Sequence, residues 1–123
     1  MPINYFRRFL KSLGFAVQGI RTFYATQYNA KIHLVFSLAV TAVGLFLNLT
    51  TTEWCLVVLA MGMVWTAEAC NTAIEFLTDL VTSEYHPLAK KVKDVAAGAV
   101  LLATTAAIII GLLVFLPRLL ELV

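Results

Sequence analysis

Three long apolar segments dominate this chain and exclude an ordinary soluble fold. Residues 95 to 116, "VAAGAVLLATTAAIIIGLLVFL", form an uninterrupted run of 22 residues, and a membrane-crossing helix needs about 20. Residues 34 to 49 form a shorter run that needs its flanks to cross, and another begins at Trp54 and continues to about Val81. Only 13% of the residues are charged, against about 25% in soluble domains, so we predict an all-α integral membrane protein.

The N-terminal segment has a different pattern. Between residues 3 and 26, apolar side chains recur at helical spacing, whereas Arg7, Arg8, Lys11, Gln18 and Arg21 fill other positions. This pattern is typical of a basic amphipathic helix that lies in the membrane interface. We therefore predict a single domain, residues 1–123, with a surface helix at 3–26 and transmembrane helices at 32–49, 53–81 and 90–117.

The placement of lysine and arginine predicts the orientation of the chain. Five basic residues precede the first span, three lie in the connection between the last two spans, and the connection between the first two has none. The positive-inside rule then places the N-terminus and the 82–93 loop in the cytosol. Arg118 is a minor exception on the far side. The net charge of +2 is too small to indicate a nucleic-acid partner.

The second apolar segment carries acids on one helical face. With Glu68 at 0° and about 100° per residue, Asn71 falls at about −60°, Glu75 at about −20° and Asp79 at about +20°. A charged side chain at the bilayer centre costs about 2.5 to 3.5 kcal/mol, so such residues face a protein interior and are functional by default. We expect Glu68 to be the deepest of them and Asp79 to lie near the cytosolic boundary.

The start of the third span carries matching charges. Because the last two spans are antiparallel and joined by a short loop, Lys90, Lys93 and Asp94 should lie at the level of Glu75 and Asp79. Carboxylates hold Mg²⁺, and lysines bind phosphates. A nucleotide site at the membrane surface is one use of this set.

A structural role is an alternative for part of this set. Glu75 and Asp79 can pair with Lys90 and Lys93 simply to hold the helices together. Glu68 has no basic residue obviously at its depth, so this explanation does not extend to it. We expect His33, at the cytosolic edge of the first span, to be an interfacial anchor rather than a ligand.

Two motifs resemble one family. "EACNTAIEFLTDLV" (68–81) is similar to the E-x-x-N-[ST]-A-I-E-x-x-x-D helix of the prokaryotic diacylglycerol kinases and undecaprenol kinases, and "SEYHPLAKKVKDVAAGAVLL" (83–102) to their E-Y-H-x-L-[AS]-x-x-x-K-D segment. "GFAVQGIR" and "NAKIH" near the N-terminus match more loosely. The resemblance covers nearly the whole chain.

The resemblance implies a homotrimeric lipid kinase of the bacterial cytoplasmic membrane, which moves phosphate from ATP, with Mg²⁺, to the hydroxyl of a membrane lipid. It implies that Glu68 is the general base, supported by Asn71, and that Glu75 binds the metal. The residues implied to contact the nucleotide are Arg8, Phe15, Gln27, Glu75, Glu84, Tyr85, His86, Lys93 and Asp94. Those implied to contact the lipid are Arg8, Arg21, Lys31, Glu68 and Ala97.

The chain departs from the family pattern at two positions. A second metal-binding Glu is usual just before the N-[AF]-[KR]-I-H stretch, and Gln27 stands there. Phe15 replaces a Tyr found in some members. Gln27 brings an amide oxygen without charge, which predicts weaker metal binding. The segments "HPLAKKVKDVAAGAVLL" and "GLLVFLPRLL" look more like the undecaprenol branch, so undecaprenol is favoured over diacylglycerol.

Two other functions fit parts of the pattern. A ladder of acids also occurs in proton- or cation-conducting membrane proteins, although a relay has no need of Glu84, His86 and Lys93 beside the ladder. Because Gln27 stands where the family has a metal-binding Glu, a catalytically silent protein with the family's fold is a second alternative.

Overall fold

The computed structural model describes residues 2–123, which form four helices: α1 Pro2–Thr26, α2 Tyr28–Phe46, α3 Thr51–Val81 and α4 Pro87–Leu120. The predicted all-α class is confirmed. Helices α2, α3 and α4 are each long and apolar enough to cross a membrane. At about 1.5 Å per residue, α3 and α4 are about 46 and 51 Å long, so both exceed a hydrocarbon core of about 30 Å.

The helix bounds differ from the predicted ones by a few residues. α2 begins at Tyr28 rather than at residue 32, because only Gln27, with an extended backbone, separates it from α1. α4 begins at Pro87 rather than at residue 90. Proline is favoured in the first turn of a helix, where its missing N–H leaves no hydrogen bond unmade.

The turn from α2 to α3 is fixed by local hydrogen bonds. Asn48 adopts a positive φ of 51°, and the N–H groups of Asn48 and Leu49 bond to the carbonyls of Leu45 and Gly44, which is a Schellman ending. Thr50 then caps α3 through a capping box with Glu53. These bonds reverse the chain within four residues and set α2 beside α3.

Close packing supports this turn. Gly44 is buried, and a Cβ there would lie 2.8 Å from Cη2 of Trp54, so the contact requires glycine. Leu47, Leu49, Val57 and Val114 form the main buried apolar cluster.

Helices α3 and α4 form a long antiparallel hairpin with an ion pair at its open end. The guanidinium of Arg118 donates from Nε to Oε1 of Glu53 at 3.1 Å and from its terminal nitrogen to Oε2 at 2.8 Å. A bidentate pair of this kind fixes both distance and orientation. It joins the first turn of α3 to the last turn of α4.

Helix α1 contacts the rest of the protomer near its C-terminal end. Phe23 is buried and meets Trp65 of α3 edge-on at 6.1 Å between ring centroids, and Tyr24 lies 5.3 Å from the same ring. From Asn4 to Thr22 the side chains of α1 are exposed. The helix is thus free to cover a membrane surface or a second protomer.

A single chain leaves much apolar surface exposed. Its accessible surface is 9352 Å², whereas a soluble folded chain of 13.5 kDa exposes about 6,500 Å². The exposed side chains include large hydrophobic residues on α2, α3 and α4. Lipid, other protomers or both would cover this surface, which agrees with a membrane protein. The homotrimer stays a prediction.

Candidate active site

Glu68 is the buried acid of α3. Its residue surface is only 4% exposed, and its Oε1 lies 2.9 Å from Nε2 of His33 on α2. Glu68 follows Glu53 by 15 residues, which is about 22 Å along the helix. If the Glu53–Arg118 pair marks one edge of a hydrocarbon core of about 30 Å, Glu68 lies inside that core and Asp79 lies beyond it.

This pairing corrects two expectations. His33 is not merely an interfacial anchor, and Glu68 does have a basic residue at its depth. Both errors have one cause: α2 begins at Tyr28, so His33 is already inside the helix and faces the Glu68 level of α3. Hydrophobic periodicity does not show how two helices are placed against each other.

One turn further along α3, Asn71 and Glu75 are bonded to each other. Nδ2 of Asn71 donates to Oε1 of Glu75 at 3.1 Å, and both residues are half-buried. Oδ1 of Asn71 is itself buried and has no hydrogen-bond partner within the described residues. This oxygen and the second oxygen of Glu75 are therefore acceptors available to a ligand.

A polar cavity of about 320 Å³ lies where α3 ends and α4 begins. It brings together Glu84, Tyr85, His86, Lys93 and Asp94, which are five of the predicted nucleotide-contacting residues. Glu75 does not line this cavity; it lies one turn before Asp79, which does.

Ion pairs organise the charges of this cavity. Nζ of Lys93 lies 2.5 Å from Oδ1 of Asp79, so this pair does connect α4 to α3. Lys90 instead pairs with Asp94 on its own helix at 2.5 Å. The helix-pairing alternative thus holds for Asp79 and Lys93, whereas Glu75 bonds to Asn71 rather than to a lysine.

His86 has a structural role in addition to any contact with a ligand. It is the N-cap of α4, and its Nδ1 accepts a hydrogen bond from the N–H of Leu88 at 3.1 Å. An accepting Nδ1 places the proton of a neutral ring on Nε2, which leaves an N–H donor free. Tyr85 and Glu84 beside it are exposed.

Several predicted site residues form no hydrogen bond or ion pair with Glu68, Asn71 or Glu75 within one chain. Gln27 is half-buried at the α1–α2 junction and makes no side-chain cap, and no hydrogen bond between described residues joins it to Glu75. The others are exposed and line neither this polar cavity nor the apolar groove between the helices: Arg8, Phe15, Arg21, Lys31 and Ala97.

That apolar groove runs between α2, α3 and α4. Its volume is about 320 Å³, and its walls are formed mainly by apolar side chains such as Val57, Met61, Ile108 and Phe115. His33 lines it, so the groove opens onto the partner of Glu68. A hydrocarbon chain matches this lining, since only apolar surface is buried by such contact.

A family model described as prokaryotic diacylglycerol kinase matches residues 14–115. The chain belongs to this family. The matched segment of this prokaryotic diacylglycerol kinase family contains Glu68, Glu75 and the residues that line the polar cavity and the groove, and the predicted family assignment is confirmed.

Individual members of the prokaryotic diacylglycerol kinase family show the same relation. A protein named undecaprenol kinase from Bacillus subtilis is 42% identical over 116 residues, which cover 94% of each chain. A diacylglycerol kinase from Synechocystis is 41% identical over 92% of this chain and 65% of its own length. The diacylglycerol kinase of Escherichia coli K12 is 29% identical over 85% of both chains.

Proposed function

We propose that this protein is a lipid kinase that transfers the γ-phosphoryl group of ATP to the hydroxyl of a membrane lipid alcohol. Family membership supports the kinase reaction, since the relatives are named undecaprenol kinase and diacylglycerol kinase. One structural observation carries the proposal for this chain: a buried acid, Glu68, lies beside an apolar groove and on the same helix as a polar, lysine-containing cavity.

Glu68 acts as the general base in this proposal. The acceptor hydroxyl of a lipid lies at the interface while its hydrocarbon lies in the bilayer, so its base must lie within the membrane. The lipid O–H proton passes to Glu68, the lipid oxygen forms a bond to the γ-phosphorus, and the bond from that phosphorus to the leaving oxygen of ADP breaks. Asn71, one turn away, lies between this base and the acceptors of Glu75.

The polar cavity holds the nucleotide in this proposal. Lys93 supplies positive charge to the phosphates, and Asp79 holds the lysine toward the cavity. Charge spreads over the phosphoryl oxygens in the transition state, so a preorganised cation there lowers the barrier. The free Nε2–H of His86 and the exposed loop of Glu84 and Tyr85 give further polar contacts.

Mg²⁺ fits the donor set near Glu75. A half-buried carboxylate and the unpartnered Oδ1 of Asn71 are hard oxygen ligands, which Mg²⁺ prefers. No group of three or more His, Cys, Asp or Glu side chains that could hold a metal ion occurs among the described residues, so the ATP phosphates and water would complete the coordination. Glu75 and Oδ1 of Asn71 would hold the ion, whose charge would neutralise the transferring phosphoryl group. Gln27 stays a predicted neutral ligand that no hydrogen bond joins to Glu75 within one chain.

Undecaprenol is the acceptor that we favour over diacylglycerol. The relative named undecaprenol kinase matches 94% of its own length, against 65% for the Synechocystis diacylglycerol kinase at nearly equal identity.

The same proposal includes the surroundings of the enzyme. The excess of basic residues at the N-terminus and in the 82–93 loop supports a cytosolic location for both under the positive-inside rule, and in that orientation the polar cavity would face ATP. The exposed residues of α1 that line no cavity within one chain are available to a neighbouring protomer, as the proposed homotrimer in the bacterial cytoplasmic membrane requires.

Transfer of labelled phosphate tests this function. The purified protein in micelles is given γ-labelled ATP with undecaprenol or with diacylglycerol, and the labelled lipid is quantified. We expect labelled product to form with each of the two lipids and not without added lipid, and kcat/KM to be higher for undecaprenol. Faster transfer to diacylglycerol would reverse the preference, and no transfer to either lipid would contradict the kinase proposal.

A further inference from the structure

The partner of Glu68 has no role in the reaction as proposed so far. His33 contacts Oε1 of Glu68 at 2.9 Å, with side-chain exposures of 23% for the histidine and 6% for the glutamate. No other hydrogen bond to the Glu68 carboxylate occurs among the described residues; Thr72 bonds only to the backbone carbonyl of Glu68. A general base must be ionised to take up a proton, and an ionised carboxylate accepts only, so in this role Glu68 receives the hydrogen bond from Nε2–H of His33.

This donor fixes the geometry of the acid. A hydrogen bond to one oxygen restricts rotation of the carboxylate and leaves Oε2 as the oxygen that accepts a proton. It also compensates part of the cost of burying the acid, since an unpaired buried charge is strongly unfavourable. His33 lines the apolar groove as well, so the pair lies where the lipid chain of the proposed function would end.

The imidazole ring is held by its surroundings. Trp65, one turn before Glu68, meets the ring of His33 edge-on at 6.4 Å between centroids. The indole Nε1 of Trp65 donates to Oγ of Ser37 at 3.1 Å. Phe23 and Tyr24 of α1 pack against the same indole ring. Three helices thus fix the side chain that bonds to the acid, which a merely interfacial histidine would not need.

We propose that His33 is a positioning residue that orients Glu68 as the general base. This inference rests on the proposed lipid kinase activity. The proton of the lipid hydroxyl goes to Oε2 of Glu68, while Nε2–H of His33 stays bonded to Oε1 throughout. The role therefore requires a hydrogen-bond donor at the right reach.

Side chains of different reach test this role. The amide nitrogen of Gln extends to about the place of Nε2 in histidine, whereas the amide of Asn stops short of it. We expect His33→Gln to keep kcat within about threefold and His33→Asn to lower it roughly 10- to 100-fold, as is typical for a residue that orients a functional side chain. The KM for ATP should not change in either variant.

Matched measurements separate this role from simple destabilisation. Thr41→Val is the control, because Thr41 lies on α2 and its hydroxyl, among the described residues, bonds only to the backbone carbonyl of Ser37. Thermal unfolding in micelles is recorded for every variant. In a Glu68→Gln background, His33→Asn should have no further effect on kcat, because the residue it orients is already inactive.

Three outcomes would overturn the inference. Equal losses for Gln and Asn would mean that the histidine carries the proton itself. Turnover unchanged in both variants would mean that the contact is only structural. If the parent protein phosphorylates neither lipid, the proposed function and this role of His33 both fail. The assay of the parent protein shows this before any variant is compared.

Discussion

Nζ of Lys93 on α4 lies 2.5 Å from Oδ1 of Asp79 on α3, at the wall of the polar cavity beside the α3–α4 loop. The two side chains are 40% and 59% exposed, and exposed pairs contribute only about 0 to 1 kcal/mol to stability. The pair therefore matters more for where the lysine is held than for how stable the hairpin is.

Lys93→Ala should raise the KM for ATP or lower kcat about tenfold or more, because the phosphates lose a charge-assisted hydrogen bond. Asp79→Asn should have a smaller effect of the same kind, since the lysine remains but is less restrained. Steady-state kinetics against ATP measure both. Lys91→Ala is the control, because Lys91 is exposed and does not line the cavity. ATP dependence unchanged in both variants would leave Asp79 and Lys93 with the helix-pairing role alone.

Glu68→Gln should lower kcat by roughly 10² to 10⁴ while ATP binding persists, which is the usual worth of a positioned general base. Glu53→Gln is the matched control: it makes the same change on the same helix, at an acid that pairs with Arg118 and lines neither the polar cavity nor the apolar groove. The control should unfold at a lower temperature and keep its kcat. Turnover of the Glu68 variant within a few-fold of the parent would show that another group accepts the proton.

Gln27→Glu should lower the Mg²⁺ concentration for half-maximal rate, because a carboxylate adds a charged ligand where an amide now stands. Glu75→Ala should raise that concentration. The affinity for lipid should stay the same in both, since the change lies on the nucleotide side of the site. Activity measured against free Mg²⁺ decides the matter. Coincident curves for Gln27→Glu and the parent would mean that this position does not face the metal, and activity restored to a silent parent would support the catalytically silent alternative.

Gly111→Leu should raise the KM for lipid and leave the KM for ATP unchanged. Gly111 lines the apolar groove and has no atom within 4 Å of an added Cβ, so the helix accepts a side chain that then fills the groove. Gly62→Leu on α3 is the control, since it is equally unobstructed and does not line the groove. Gel filtration of both variants checks that assembly is retained. Equal KM values for lipid would show that the chain of the acceptor lies elsewhere.

The polar face of α3 could be predicted from the sequence because it depends on one helix alone. A single period of about 3.6 residues places Glu68, Asn71, Glu75 and Asp79 on one side. The short α3–α4 loop likewise predicts antiparallel neighbours, and Lys93 does meet Asp79.

Contacts that depend on how separate helices meet were not accessible in the same way. The His33–Glu68 bond requires α2 to begin at Tyr28 and to face Glu68 on α3, and the aromatic packing around Trp65 fixes this junction. The "NAKIH" stretch was a signal, since a histidine sits there among apolar residues, but spacing does not identify its partner. Arg8, Arg21 and Lys31 line neither the polar cavity nor the groove within one chain, and helical spacing does not show where they lie relative to the site.

The bidentate bond between Glu53 and Arg118 has a consequence for how the protein enters the bilayer. In the proposed orientation, Arg118 must be carried across the hydrocarbon, where a lone arginine costs about 2.5 to 3.5 kcal/mol even on a lenient scale. Joined to Glu53, it is carried as part of a neutral unit. The two long helices are thereby suited to be translocated together as a preformed hairpin, with their loop kept behind by its lysines, rather than one after the other.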